Sequence, residues 1–239
     1  VPETQINMFD LSHPNMPALD TSRCEARIIN YETAARMVET YHYAHRVPSI
    51  VVAVGMFVDD TLAGTLTYGM PSSSKTKIAV CGEEHANIVI ELNRLYIHSW
   101  CGRNSESWLI GQSFNLLPSP SILVSFADVG QCHLGYIYQA TNWTYTGLSD
   151  DSGAFSRIEV NGAERTSKSF YDELGTQSKE VILKRYPDAI FYEYTRKHRY
   201  VYFLGNKRQR RTLRQALKWP VLPYPKATID TSPSPLPLP

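Results

Sequence analysis

Four clusters of polar side chains interrupt apolar stretches of this 239-residue chain, and each could do chemistry. The first is Tyr41-His42-Tyr43-Ala44-His45-Arg46. Its two imidazoles and two phenols suit a base, an acid or a metal ligand; an aromatic helix end packed on a sheet is the plainer alternative. The second is Glu91-Leu92-Asn93-Arg94, inside the strand-like run IVIELNRLYI. Charges at i and i+3 point to opposite faces of a strand, so each needs a partner or a task. A structural ion pair would also satisfy them.

The third cluster, Gly102-Arg103-Asn104-Ser105-Glu106-Ser107, is a polar loop opening a helix. Backbone N–H groups at a helix start hold phosphate well, and the loop falls where an α/β sheet offers a ligand crevice. Arg103 adds charge there, and Ser105 or Ser107 a hydroxyl. The fourth, Ser125-Phe126-Ala127-Asp128, ends a buried strand and runs on to His133, Tyr136 and Tyr138. Asp128 and His133 suit an acid–base couple. With His42 or His45 they would make the two-imidazole, one-carboxylate set that Fe(II) favours. Asp128 as a simple helix cap is the competing reading.

The elements that must position these clusters read as α/β. Asn30 caps a helix from Tyr31 to about Tyr43. Ile50–Phe57 and Leu62–Gly69 read as a hairpin turned at Asp59-Asp60, followed by a loop over Pro71–Lys77. Ile88–Ile97, Ile122–Ala127 and Trp143–Gly147 read as strands, Ser105–Leu117 and Gln131–Asn142 as helices. Further on come a hydrophilic stretch over Ser152–Thr166, short helices at Ser167–Leu174 and Ser178–Tyr186, and strands at Ile190–Tyr194 and His198–Leu204. Residues 1–21 read as a surface loop, and the tail from Thr231 as disordered. The expected division is a core at 22–150, a basic extension at 151–226 and a Pro-rich tail at 227–239.

The net charge of +1 hides a segregation. Lys184–Lys218 holds eleven basic residues against Asp188 and Glu193, which points to a polyanionic partner. Asn206 would cap a helix carrying Lys207, Arg208, Arg210, Arg211 and Arg214, with Leu213 and Leu217 pinning it to the body. No apolar run is long enough to span a bilayer, so no membrane partner is expected. The four cysteines form no CxxC pair, which argues for reduced thiols and against a zinc site.

The order HYAHRVPS, ELNRLYI, RNSESWLI, SFADVGQCHLGYIYQATNW and LKWPVLPYPK resembles the bacteriophage Mom family over about Tyr41–Lys226. The resemblance implies a GNAT-like mixed central sheet flanked by helices. It implies an acyltransferase-like enzyme that adds a carbamoylmethyl group to N6 of adenine in double-stranded DNA, protecting phage DNA from host restriction in the cytoplasm of the bacterial host. By resemblance the site residues are His42, Tyr43, Arg94, Ser107, Asp128 and Tyr138, and iron is implicated. His133 joins Asp128 and His42 as a proposed metal ligand from its position alone. Gly102, Arg103, Asn104 and Ser105 stand where acetyltransferases carry a glycine-rich pyrophosphate loop, so an acetyl-CoA-like donor is an open expectation and the small-molecule donor is unidentified. An ordinary N-acetyltransferase and a non-catalytic DNA-binding protein are the alternative readings.

Overall fold

A computed structural model of the chain describes residues 16–149, 155–193 and 195–226. They form two compact units. One takes in the described parts of Val1–Ala127, Leu134–Gly147 and His198–Pro239; the other is Asp128–His133 with Leu148–Lys197.

In chain order the first unit contributes β1 (Cys24–Ile28), α1 (Tyr31–Tyr41), β2 (Val52–Val58), β3 (Thr61–Gly69), α2 (Ser74–Cys81), β4 (Val89–Ile97), α3 (Ser105–Ser113), β5 (Ser121–Asp128), α4 (Tyr136–Ala140) and β6 (Thr144–Leu148). Then come β7 (Phe155–Val160), β8 (Ala163–Arg165), α5 (Ser167–Leu174), α6 (Lys179–Arg185) and β9 (Ile190–Glu193) of the second unit. The chain returns with β10 (Lys197–Leu204) and α7 (Lys207–Ala216).

Among the described residues the larger sheet has seven strands in the order β1-β2-β3-β4-β5-β10-β6. β1 to β4 are antiparallel neighbours, and β4 and β5 run parallel, so the sheet is mixed. Asp59 and Asp60 turn the β2–β3 hairpin with positive φ at both residues, the backbone that a tight hairpin needs. Both faces of these strands are covered, which is why β2 reads as a nearly continuous apolar run and β3 breaks its apolar residues only with threonine and glycine. Asn30 accepts a hydrogen bond from the Thr33 amide at 2.9 Å and starts α1. Ala34, Met37 and Val38 then bury the helix against the sheet, and His42 stands at its C-cap. Tyr68, Leu66, Leu109, Leu123 and Trp143 are among the fully buried side chains of the core.

α7 opens with a reciprocal cap: Asn206 accepts from the Gln209 amide, and the Gln209 side chain accepts from the Asn206 amide. Leu213 is its buried anchor, packed with Val80, Val89, Ile122 and Phe203. Lys207, Arg208, Arg210, Arg211 and Arg214 all face solvent.

In the second unit the sheet order is β8-β7-β9, over a small core of Ile158, Val160, Phe170 and Ile182. Asn161-Gly162, both at positive φ, turns the β7–β8 hairpin. Arg165 bridges Glu173 at 2.5 Å and lies over the Phe170 ring at 4.1 Å. The Tyr186 hydroxyl donates to Glu173 at 2.6 Å.

Several expectations shift. β10 and α7, expected in the basic extension, group with the first unit, and Asp128–His133, expected in the core, with the second. The expected loop at Pro71–Lys77 gives way to α2 at Ser74, and the hydrophilic stretch at Ser152–Thr166 contains β7 and β8. The helix expected over Gln131–Asn142 shrinks to Tyr136–Ala140, because Cys132 and Gly135 both take positive φ. A Cβ on Gly135 would lie 2.4 Å from the Tyr200 ring, so glycine is required there. The expected Pro-rich tail and residues 1–15 of the expected N-terminal loop lie outside the described residues.

Candidate active site

The site begins with an extra residue in β4. Thr67 pairs with Arg94 but Tyr68 with Leu92, so Asn93 is a bulge. Asn93 uses its side chain twice. Its carbonyl oxygen accepts from the Thr67 hydroxyl at 2.7 Å, and its amide donates to the Ser49 carbonyl at 2.8 Å. The second bond pulls the loop after α1 onto the sheet. The approach is close enough that a Cβ on Gly69 would lie 1.8 Å from the Ser49 oxygen, so glycine is the residue that fits.

On the other side, β4 pairs with β5 only from Val89↔Ile122 to Glu91↔Val124. At the first step beyond, Ser125 bridges the parting strands. Its hydroxyl donates to the Leu92 carbonyl at 2.8 Å and lies 2.7 Å from the Tyr138 hydroxyl. A serine has one proton, so Tyr138 is the donor in the second bond. Tyr138 is buried, with its ring 5.2 Å from Trp143 and 5.1 Å from Tyr200, centroid to centroid. Burial pushes its phenol up to about 12, the Ser125 bond opposes the rise, and the charges of Tyr43 and Glu91 add to it. Tyr138 is therefore a neutral hydrogen-bonding group at ordinary pH, not a phenolate base.

Arg94 follows the bulge. Its Nη1 donates to the Asn93 carbonyl at 2.7 Å and its Nε to the Arg46 carbonyl at 3.3 Å. Burial lowers its pKa, Tyr43 and Glu91 hold it up, and Arg46 lowers it. An arginine so placed stays cationic. Arg94, Tyr43 and Tyr138 thus gather with Glu91 and Ser125 where β4 and β5 separate. Glu91 and Ser125 belong to the second and fourth sequence clusters but not to the residues the resemblance implied; a polar residue inside a buried strand is the signal for each. His42, buried beside Tyr43 with ring centroids 4.3 Å apart, accepts the Ala44 amide at Nδ1 at 3.1 Å. That bond selects the tautomer with its proton on Nε2, so the neutral ring presents an N–H donor.

Ser107 lies on the first turn of α3, donating to the Asn104 carbonyl at 3.0 Å. With Leu19, Arg103, Asn104, Trp108 and Thr141 it lines a pocket of about 290 Å³. Gly102 and Ser105 shape this loop from within: Ser105 donates to the Gly102 carbonyl at 2.6 Å, and a Cβ on Gly102 would meet the Pro17 oxygen at 2.5 Å. The Arg103 amide is committed to the Pro17 carbonyl. Glu106, in the third sequence cluster but given no role there, has its carboxyl pKa raised by burial and partly restored by its own backbone amide.

Asp128 and His133 lie together in the second unit. Asp128 Oδ1 accepts from the Gly130 amide at 2.9 Å and from the Thr195 hydroxyl, and Lys197 stands 4.0 Å from Oδ2. Asp128 thus caps the turn Val129–Gln131. Burial holds the His133 imidazole below its usual pKa, and the Asp128 charge opposes this. Of the expected metal set, His42 belongs to the first unit and Asp128 and His133 to the second. Among the described residues no three His, Cys, Asp or Glu side chains are placed to share an ion. His42 Nδ1 accepts from the Ala44 amide, and Asp128 Oδ1 from the Gly130 amide and the Thr195 hydroxyl.

A mixed α/β sheet whose central parallel pair opens onto an arginine, tyrosines and a carboxylate is a frame for group transfer. The profile of the Mom protein family matches residues 23–226, and the chain belongs to that family. It is 29% identical over 204 residues to the methylcarbamoylase Mom of Escherichia phage Mu, covering 81% of this chain and 80% of that protein. Among solved structures it is similar to yncA, a putative acetyltransferase from Salmonella typhimurium with acetyl-CoA as its cofactor. That match has a TM-score of 0.46 and 9% identity, over 77% of this chain and 95% of that one. An N-acetyltransferase from Staphylococcus aureus Mu50 matches at TM-score 0.42 and 12% identity, over 76% and 97%.

Tyr138→Phe keeps the packed ring and removes the bridge to Ser125. It should cost about 1 kcal/mol of stability, the usual worth of one hydrogen bond, and melt cooperatively. The turnover of the family reaction should fall at least tenfold, measured on soluble protein. Full turnover would remove the Tyr138 hydroxyl from the site.

Proposed function

We propose that this chain is a DNA-modifying transferase that adds a carbamoylmethyl group to N6 of adenine in double-stranded DNA, protecting phage DNA from restriction in the cytoplasm of the bacterial host. The observation that carries the reading is the gathering of Arg94, Tyr43, Glu91 and Tyr138 where β4 and β5 part, in a member of the Mom family.

In this reading the N6 amine attacks the methylene carbon of the donor's carbamoylmethyl unit. A C–N bond forms, the leaving group departs with its electron pair, and N6 releases one proton. Arg94 holds the anionic part of the donor or the charge that grows on the leaving group. The Nε2–H of His42 and the hydroxyl of Tyr43 orient the reacting groups. Glu91 is the nearby carboxylate suited to the released proton. The pocket at Arg103, Asn104 and Ser107 receives the body of the donor, an acetyl-CoA-like molecule being one candidate. The base must leave the duplex stack, at a cost of about a few kcal/mol. No step is routed through iron. Asp128 acts through the turn it caps.

Nucleosides from a host expressing the chain test the reading directly. Mass spectrometry should find a deoxyadenosine heavier by one carbamoylmethyl substituent. Unchanged deoxyadenosine beside soluble, folded protein would overturn it.

The exposed stripe on α7 supports a phosphate contact. Lys207, Arg208, Arg210, Arg211 and Arg214 bind the DNA backbone, which positions a protein without reading bases. Replacing Arg210 and Arg211 together by Ala should weaken binding to every duplex alike. The slope of log affinity against log salt should drop by about 0.9 for each lost contact. An unchanged slope would leave α7 a solvated surface.

A further inference from the structure

α2 and α7 cover the same face of the larger sheet. Val89 of β4, Ile122 and Val124 of β5, and Val201 and Phe203 of β10 form one apolar patch, the paired residues two apart and so on one side of their strands. Val80 and Cys81 of α2 and Leu213 of α7 complete that patch. The two helices are also tied to each other. The Lys218 amide, just past α7, donates to the Val80 carbonyl at 2.8 Å, and the Cys81 sulfur lies 3.9 Å from the Leu213 carbonyl oxygen. α2 and α7 therefore form one layer with one outer surface. That surface carries cations. Neither Met70–Gly82 nor Gly205–Lys226 contains an aspartate or a glutamate. α7 exposes Lys207, Arg208, Arg210, Arg211 and Arg214, and α2 exposes Lys75. Lys77 is half-buried, one turn before Val80 and Cys81, on the side of α2 that turns to α7.

Folding alone gives no reason for this charge. Lys75, Lys207 and Arg208 stand in the first turns of their helices, where the positive end of a helix favours an anion. Neither first turn holds an acidic residue. Lys207 and Arg211, and Arg210 and Arg214, are four apart along α7, the spacing at which like charges repel. Among the described residues no carboxylate forms an ion pair with the cations of either helix. Glu83 and Glu84 begin only past Gly82, at the far end of α2 from Lys75. Lys218 does serve the fold: its side chain lies over Gly82, at the end of α2 where a cation is favoured. Local rules broken this consistently mark a functional surface. Cations spread along two packed helices suit a run of phosphates, not a single compact anion.

Resting on the reading that duplex DNA is the substrate, we propose that α2 is the second arm of the DNA-binding surface. Lys75 and Lys77 hold phosphates of the same duplex that lies along α7. The packing of Val80 and Cys81 against α7 fixes the two arms relative to each other.

The test is duplex binding by the full chain, as wild type and with Lys75→Gln and Lys77→Gln together, over a range of salt. Glutamine keeps a long side chain and a similar helix preference while removing the charge. The variant should bind every unmodified duplex about tenfold more weakly, with a salt slope lower by about 0.9 for each lysine. Its melting temperature should stay level or rise, since cations are disfavoured at a helix start. Combined with Arg210→Ala and Arg211→Ala, the losses of slope should add, because all four side chains face one duplex. An unchanged slope in the lysine variant would overturn the proposal. So would a fall in affinity accompanied by a lowered melting temperature, for then the lysines serve the fold. A slope that falls for single strands and not for duplexes would overturn it too. Lowered duplex slopes beside a wild type that leaves deoxyadenosine unmodified would keep the surface and remove the transfer reading.

Discussion

β4 carries one residue more than its partner β3 between Leu92 and Arg94, and the geometry of the site follows from how that residue is accommodated. Asn93 leaves the ladder and spends its side chain on the Thr67 hydroxyl and the Ser49 carbonyl. The Ser49 bond draws the loop after α1 over the sheet, so that His42, Tyr43 and Arg46 come to Arg94. The bulge increases the local twist of β4, and the parallel pairing with β5 ends two residues earlier, at Glu91. A regular β4 would continue along β5, leaving no opening for Ser125 and Tyr138 to close.

The opening is stabilised by groups that chemistry can also use. The Ser125–Tyr138 bridge satisfies polar groups that would otherwise be buried unpaired, a loss worth about 1–3 kcal/mol each. Tyr138 pays for no ionisation, since burial keeps its phenol neutral. Arg94 stays charged in a half-buried setting because a guanidinium keeps its proton even where burial lowers its pKa, and Glu91 is the carboxylate that stands close. Removing Glu91 would leave a cation short of compensation, so the site's electrostatics and its shape change together.

Much of this was legible in the sequence, for physical reasons. Strands buried on both faces left apolar runs, and Asn30 and Asn206 marked helix starts by the bonds they accept. ELNRLYI stood out because charges inside an apolar strand need a reason. The bulge within it was not legible, since a two-against-one count exists only once the partner strand is known. Asn161-Gly162 carried a hairpin signal, but its hydrophilic surroundings suggested a loop. α2 was hidden behind Pro71 and three serines. Asp128 read equally as a chemical group and as a cap, and the hydrogen bonds it accepts are those of a cap.

The measurement closest to the central claim is the fraction of modified deoxyadenosine in DNA from cells expressing Asn93→Asp. The substitution keeps the bulge's size and replaces the donor to Ser49 with an acceptor oxygen that the Ser49 carbonyl repels. The account predicts soluble, folded protein with modification at least tenfold below wild type, because the loop bearing His42 and Tyr43 lifts from Arg94. Wild-type levels of modified deoxyadenosine in that variant would contradict it.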